Sequence, residues 1–322
     1  MRALETIQSA RELLEISGLN DADREAELIV SHCLGIDRLH LYKEDPDIPE
    51  KIILQIYEYL RRRAAREPLQ YILGFTEFHG LKIKVGPGVL IPRPETELMV
   101  EEAVKIIRSK QSNPPLPPFS FASANPPECG KVGDGGITDS EINLKSTLKI
   151  LDLCTGSGCI ALALAREFLD AEVYGTDISE VAISYAEENA RINDINNVEF
   201  LRGSLFEPFE KLSAPGQSSF KAGLIISNPP YIKRDEIENL QPEITDWEPG
   251  EALDGGEDGL DYYKMLIPEV GNYLKENGYL ILEIGIHQAK EIKKLALDAG
   301  FQDIIVIRDY SGIERILVAN KG

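Results

Sequence analysis

Apolar residues recur every three or four positions through residues 1–73, a spacing that predicts helices. A second helix begins near Asp21 or Asp23, and a third begins after Pro49. The first helix carries its apolar face on Leu4, Ile7, Leu13, Leu14 and Ile16. The pattern therefore predicts an all-helical amino-terminal domain over residues 1–73.

The third helix runs into four arginines, Arg61, Arg62, Arg63 and Arg66. Cations at the C-terminus of a helix complement its dipole, which favours a solvated helix end. The alternative interpretation is a docking patch for an acidic partner. The sequence leaves both interpretations open.

The hydrophobic period changes from helical to alternating after residue 73. Residues 81–85 alternate apolar and polar side chains, and residues 86–88 read Gly-Pro-Gly before the apolar run 89–91. This pattern predicts a β-hairpin whose two strands are 81–85 and 89–91. The hairpin would form a linker over residues 74–93, and a helix restarts from Pro94 to about Ser109.

Residues 110–147 break all periodicity. Proline pairs stand at 114–115, 117–118 and 126–127, with glycine and serine between and after them. Such a segment buries too little apolar area to offset the entropy of ordering it. We expect a disordered surface insertion within a second domain that covers residues 94–322.

From Lys149 onward short apolar runs alternate with helical patterns, which is typical of an α/β domain with a mostly parallel sheet. Ligands of such sheets bind beyond the carboxyl ends of the strands, near the point where strand order reverses. The predicted strands are Ile150–Leu153, Glu172–Thr176, Val198–Leu201, Leu224–Ser227, Tyr279–Ile284, Ile304–Ile307 and Arg315–Ala319.

The first candidate site is a glycine-rich turn after the first of these strands, within residues 151–161. Its Gly156-x-Gly158-x-x-Ala161 spacing satisfies the dinucleotide fingerprint and equally the S-adenosylmethionine loop of class I methyltransferases. Asp177 ends the next strand, 19 residues past Gly158, where a carboxylate can accept both hydroxyls of a ribose. The loop indicates a nucleoside cofactor and leaves these two classes open.

The second candidate site is Asn228-Pro229-Pro230-Tyr231, directly after a buried strand. The Asn228 side-chain oxygen and the Pro229 carbonyl are adjacent acceptors, and the prolines bring no N–H group. Two acceptors can hold both hydrogens of an amide or amino nitrogen, while Tyr231 can lie against its planar group. The motif favours methyl transfer to such a nitrogen by positioning and electrostatics, without a strong base.

With these motifs the chain resembles the HemK/PrmC family of protein-(glutamine-N5) methyltransferases. The resemblance covers nearly the whole chain, including residues 91–97, Trp247-Glu248-Pro249 and residues 252–260. It implies a class I S-adenosylmethionine-dependent methyltransferase, with a Rossmann-like seven-stranded sheet, an N-terminal helical bundle and a β-hairpin linker. The implied reaction methylates the glutamine of the Gly-Gly-Gln motif in peptide chain release factors.

The resemblance also implies roles for individual residues. Catalytic and substrate-binding positions are Asn228, Pro229, Pro230 and Tyr231, with Arg93 and Thr96 as further substrate-binding candidates. Ser204 stands where family members usually carry an aspartate, which puts one adenine contact in doubt. The implied cofactor-binding positions are Cys154, Thr155, Gly156, Ser157, Gly158, Asp177, Ile178, Ser204, Leu205 and Asn228.

The composition of the chain limits the classes of partner and ligand that it is expected to bind. The chain of 322 residues has 34 basic and 54 acidic residues, a formal charge of −20 that argues against bulk binding of nucleic acid. Its start is amphipathic and acidic, unlike a signal peptide, and no apolar run approaches the length of a membrane span. Four cysteines without a C-x-x-C pair and four histidines argue against a metal site. We expect a cytoplasmic protein, with a monomer as the default.

Three alternative functions fit the motifs less well than methylation of a release factor. An N6-adenine DNA or ribosomal RNA methyltransferase uses the same acceptor chemistry but needs a basic channel. A dehydrogenase leaves Asn228–Tyr231 without a role, and a degenerate binding module rests on Ser204 alone. Glu283, at the end of a buried strand, is a further candidate for the site.

Overall fold

The structure is a computed structural model that describes residues 1–112, 147–212 and 220–322. The insertion predicted over residues 110–147 lies outside the described residues except at its two ends, so it stays a prediction. Among the described residues, no helix is long and apolar enough to cross a membrane.

The amino-terminal helices pack around one apolar core, which includes Leu14, Ile29, Ile56 and Leu60. The sequence pattern did not single out two short helices, Arg38–Glu44 and Leu69–Leu73. Seven and five residues are too few to show a helical period. The helices are α1 (Ala3–Ile16), α2 (Ala22–Leu34), α3 (Arg38–Glu44), α4 (Glu50–Ala64) and α5 (Leu69–Leu73).

The β-hairpin lies earlier than its predicted strands. Strand β1 (Phe75–Phe78) pairs antiparallel with β2 (Leu81–Lys84), and the apolar run 89–91 forms no strand. The reason is the two-residue turn His79-Gly80, because both residues have positive φ, as a tight hairpin turn requires. The prediction that residues 89–91 form the second strand of the hairpin is therefore wrong.

The remaining described residues form a mixed α/β structure that follows the predicted alternation closely. A 3₁₀ turn (Pro94–Thr96) leads into the first helix. The helices are α6 (Glu97–Ser112), α7 (Cys159–Glu167), α8 (Glu180–Ile192), α9 (Glu207–Leu212), α10 (Arg234–Ile237), α11 (Pro242–Thr245), α12 (Asp261–Tyr273) and α13 (Ala289–Asp298), with a 3₁₀ turn at Gly250–Ala252. The strands are β3 (Lys149–Leu153), β4 (Glu172–Asp177), β5 (Val198–Arg202), β6 (Ala222–Ser227), β7 (Leu274–Glu283), β8 (Gln302–Arg308) and β9 (Glu314–Asn320).

In the described residues the strands form one seven-stranded sheet in the order β5-β4-β3-β6-β7-β9-β8. All neighbours are parallel except β9, which runs antiparallel to β7 and β8. Apolar residues of α6, α7 and the hairpin cover one face of the sheet, and those of α12 and α13 cover the other. Strand order reverses at β3, so the carboxyl ends of β3, β4 and β6 mark the expected ligand site.

The arginine run at the end of α4 joins the helical part of the chain to the α/β part. Arg63 is buried, with 7% of its side chain exposed, and pairs with Glu25 at 2.6 Å and with Glu243 at 3.0 Å. Arg66 binds the other carboxylate oxygen of Glu243 at 2.8 Å. Neither a solvated helix end nor a docking patch describes these two arginines, because they form an interdomain ion pair through Glu243.

We expect Glu243→Ala to lower the free energy of unfolding by about 1–3 kcal/mol, because buried Arg63 then keeps only Glu25 as its charged partner. Chemical denaturation followed by circular dichroism measures this. Glu238→Ala, at an exposed position nearby, is the matched control, with an expected change within about 0.5 kcal/mol. Equal effects of the two substitutions would contradict the role of the interdomain ion pair.

Candidate active site

The sheet register brings three chain segments to the same edge. Leu153 of β3 lies level with Thr176 of β4 and with Ser227 of β6. The residues that follow therefore leave the sheet side by side, which places the glycine-rich turn next to Asp177 and Asn228. The two candidate sites of the sequence form one site.

The glycine-rich turn depends on left-handed backbone positions. Cys154, Gly156 and Gly158 have φ values of 58°, 55° and 80°. A Cβ at position 158 would lie 2.9 Å from both the Ala186 side chain and the Phe200 ring, so only glycine fits there. The turn can therefore close tightly against α8 and β5.

Asp177 is held by backbone N–H groups on both sides. Its Oδ2 accepts a hydrogen bond from Gly156 at 2.9 Å, and its Oδ1 accepts one from Ser179 at 2.9 Å. Burial raises the pKa of Asp177, whereas these N–H groups oppose the shift. A carboxylate has about four acceptor positions, so the oriented group keeps acceptor capacity for a hydroxyl of a ligand.

A cavity of about 400 Å³ opens beside these residues. Gly158, Pro229 and Tyr231 do not line it, although the sequence placed them in the site. Gly158 packs under α8, and the Tyr231 hydroxyl donates to Glu283 at 3.1 Å. The sequence-derived positions on the wall are Arg93, Thr96, Cys154, Thr155, Gly156, Ser157, Asp177, Ile178, Ser204, Leu205, Asn228 and Pro230.

Sequence reasoning missed one wall of the cavity, which is formed by Pro249, Gly250, Glu251, Ala252 and Tyr262. These residues follow Trp247 and Glu248 in the chain, and the family-like sequence of this stretch was the available signal. Their place on the wall depends on long-range packing, which no local pattern encodes.

The loop that carries this wall also fixes the backbone of Tyr231. A Cβ at Gly255 would lie 2.8 Å from the Tyr231 Cα, and one at Gly259 would lie 2.5 Å from its carbonyl oxygen. The same carbonyl accepts a hydrogen bond from Gln288 Nε2 at 2.9 Å. The two glycines therefore allow a close approach that holds the end of the Asn-Pro-Pro-Tyr segment.

Arg93 is anchored at the rim by a buried carboxylate. Its guanidinium donates to Glu248 Oε1 at 2.5 Å, and the Ile91 backbone N–H donates to Oε2 at 3.2 Å. The Glu248 side chain is 1% exposed, whereas that of Arg93 is 32% exposed. Glu248 therefore ties the segment before α6 to the wall of the cavity.

The comparisons with known proteins cover the whole chain. Residues 5–74 match the model of a PrmC N-terminal domain, and residues 144–300 match that of a methyltransferase domain. The release factor glutamine methyltransferase of Thermodesulfovibrio yellowstonii is 42% identical over 100% of this chain and 99% of its own. Those of Geobacter sulfurreducens and Fusobacterium nucleatum are 38% and 36% identical, over 95% and 99% of this chain and 92% and 78% of theirs.

The chain belongs to the release factor glutamine methyltransferase family. The match to a methyltransferase domain decides between the two cofactor classes left open by the glycine-rich turn, and the methyl donor is S-adenosyl-L-methionine. The fold is that of a class I methyltransferase with a helical N-terminal domain.

Three features of the cavity fit this methyl donor. Its volume lies in the range of small-molecule sites. Asp177 presents two oriented acceptors, which suit the ribose hydroxyls. Nothing lies within 4 Å of a Cβ placed on Gly156, so a ligand has room to approach the backbone there. Ser204 and Leu205 lie on the wall, and the altered adenine contact at Ser204 stays a prediction.

The side chain of Asp152 stabilises the glycine-rich turn. This fully buried carboxyl accepts hydrogen bonds through Oδ2 from Thr155 Oγ1 at 2.6 Å and from the Ala161 N–H at 3.2 Å. Its Oδ1 has no partner among the described residues. Burial raises the pKa of Asp152 to about 7, against the hydrogen bonds that lower it.

Within the described residues, no group of three or more His, Cys, Asp or Glu side chains could hold a metal ion.

We expect Asp177→Ala to weaken binding of S-adenosylmethionine by roughly 10- to 100-fold, because hydrogen bonds to a charged acceptor are lost. Isothermal titration calorimetry measures the Kd. Glu187→Ala, which removes an exposed acid on α8, is the control and should leave the Kd unchanged. An unchanged Kd in the Asp177 variant would remove this carboxylate from cofactor binding.

Asp152 should make folding stability depend on pH. Because its pKa rises from 3.8 to about 7 on folding, its contribution is complete below about pH 4 and is lost as pH rises through about 7. Asp152→Asn stays neutral, so its free energy of unfolding relative to the native protein should rise by roughly 2–3 kcal/mol from pH 5 to pH 8. Urea denaturation without cofactor measures this difference, and a pH-independent difference would contradict the shift.

Proposed function

We propose that this protein transfers the methyl group of S-adenosyl-L-methionine to the side-chain amide nitrogen of the glutamine in the Gly-Gly-Gln motif of release factors. One observation carries the proposal. Asn228 lies on the wall of the same cavity as the glycine-rich turn and Asp177, so an amide held by Asn228 would face the bound cofactor.

The amide nitrogen of glutamine is a poor nucleophile, because its lone pair is delocalised into the carbonyl group. Asn228 Oδ1 and the carbonyl of Pro229, which adjoins the wall residues Asn228 and Pro230 without lining the cavity itself, offer acceptors for the two N–H hydrogens. Two such hydrogen bonds would fix the nitrogen and raise the electron density on it. Pro229 and Pro230 have no N–H, so this backbone presents no donor to compete. The bound cofactor supplies an electrophilic methyl group on its sulfonium, and the residues of this chain contribute alignment.

The alternative substrate, an adenine in DNA or ribosomal RNA, is disfavoured by the arginines. The basic run that the sequence analysis singled out pairs with acidic residues of the same chain, so these four arginines do not form an unpaired basic patch for nucleic acid. The pairs are Arg61 with Glu58, Arg62 with Glu67, Arg63 with Glu25 and Glu243, and Arg66 with Glu243.

The domain arrangement supports a protein substrate. We propose that residues 1–73 recognise the release factor, that residues 74–93 link the domains, and that residues 94–322 carry out the transfer. The Arg63–Glu243 pair fixes the helical domain to the loop between Asn228 and Glu248, so a docked release factor keeps a defined position relative to the cavity. We further propose that the protein acts as a monomer in the cytoplasm, where translation termination takes place.

Methyl transfer from labelled S-adenosylmethionine tests the proposal. The acceptors are a purified release factor, the same factor with the glutamine of Gly-Gly-Gln changed to alanine, and duplex DNA. We expect label on the first acceptor alone. Label on the alanine variant would place the methyl group elsewhere, and label on DNA would replace the proposal with the nucleic-acid alternative.

In the same assay Asn228→Ala should lower kcat by roughly 100-fold or more, because it removes an acceptor aimed at the reacting nitrogen. The Kd for S-adenosylmethionine should change far less than kcat. Asn196→Ala, at an exposed position before β5 and at the opposite edge of the sheet, is the control with native kcat. Native turnover in the Asn228 variant would refute the proposed role of its amide.

A further inference from the structure

Behind Asn228 lies a chain of hydrogen bonds that ends on a buried carboxylate. Glu283, 1% exposed at the end of β7, accepts through Oε2 from Thr96 Oγ1 at 2.7 Å. Its Oε1 accepts from the Tyr231 hydroxyl at 3.1 Å. Thr96 Oγ1 in turn accepts from Asn228 Nδ2 at 3.4 Å. Thr96 therefore stands between the carboxylate and the amide.

When Glu283 is ionised, this chain has a direction. A carboxylate only accepts hydrogen bonds, so the Thr96 hydroxyl must point its hydrogen at Glu283. Its oxygen then has only lone pairs left for Asn228. A lone pair selects the NH₂ end of the amide, which leaves Asn228 Oδ1 on the other side. Among the described residues, no group donates a hydrogen bond to that oxygen.

This direction matters because the two ends of an asparagine amide have almost the same shape. Packing alone therefore does not fix which end faces the cavity. If the amide were flipped, Asn228 would present N–H groups to the N–H groups of the substrate glutamine. One orientation suits the acceptor chemistry of methyl transfer, and the other opposes it.

We propose that Glu283 is a positioning residue that acts through Thr96 to keep Asn228 Oδ1 facing the substrate amide. This inference rests on the proposed function. In the described residues Glu283 has no cation within ion-pair distance, and the charge of Arg315, which acts on it from farther away, helps to offset the cost of burying the carboxylate. Burial raises its pKa, whereas the hydrogen bonds from Thr96 and Tyr231 oppose that shift and favour the charged form.

We call the path from Glu283 through Thr96 to Asn228 the relay. Thr96→Val tests it, because valine keeps the shape of threonine and removes the hydroxyl. We expect kcat for the release factor to fall by about tenfold or more, with the Kd for S-adenosylmethionine little changed. Thr96→Ser keeps a hydroxyl, so its kcat should lie much closer to the native value. Equal losses in both variants, or no loss in the valine variant, would overturn the proposal.

A double-mutant cycle separates orientation from general structural support. Once Asn228→Ala has removed the amide, no group remains for Thr96 to orient. Thr96→Val should therefore cause almost no further loss of kcat in that background. Glu283→Gln should lower kcat in the native background but not in the Thr96→Val background. If the fold-losses of kcat from the two single substitutions multiply in either double mutant, the relay is contradicted.

A third measurement needs no turnover. The Nδ2 resonance of Asn228, in protein labelled with ¹⁵N-asparagine, is assigned by its loss in Asn228→Ala. It should shift in Thr96→Val, because the hydrogen bond to Oγ1 is lost, and an unshifted resonance would overturn the relay. If the native enzyme methylates no release factor, the proposed function fails, whereas this resonance still decides whether Thr96 holds the amide.

Discussion

The parallel register of β3 with both of its neighbours is the constraint on which the site depends. Leu153 is level with Thr176 on one side and with Ser227 on the other. A shift of one residue in either pair would turn side chains to the other face of the sheet. Asp177 and Asn228 would then no longer flank the glycine-rich turn, and the cavity would lose the acceptors for either the cofactor or the substrate.

Local sequence patterns predicted most of the sheet, because a buried parallel strand is a short apolar run between turn residues. The hairpin was misplaced because β1 is four residues long and mostly half-buried, so its alternation is weak, whereas the apolar run 89–91 resembles a strand. The motifs located Asp177 and Asn228. They could not reveal that Tyr262 lines the cavity or that Glu248 binds Arg93 on its wall, since both contacts join parts of the chain that are distant in sequence.

The arginine run also shows what local sequence cannot predict. A helix that ends in arginines looks solvated from its own sequence, because the partner that matters, Glu243, is 180 residues away from Arg63. The structure turns this local feature into an interdomain link. Through Glu243 and then Glu248, the loop after Asn228 contacts both the helical domain and Arg93. The segment after Asn228 is therefore anchored at two points near its C-terminal end, Glu243 and Glu248.

A buried carboxylate beside an acceptor site invites assignment as a general base, yet the geometry argues against this role for Glu283. Its two oxygens already accept from Thr96 and Tyr231, and Thr96 separates it from Asn228. The chemistry also does not require a base, because an amide nitrogen that has gained a methyl group becomes strongly acidic and loses its proton readily. What the reaction lacks without the enzyme is an aligned nucleophile. A carboxylate that orients hydroxyls, and through them an amide, supplies that alignment.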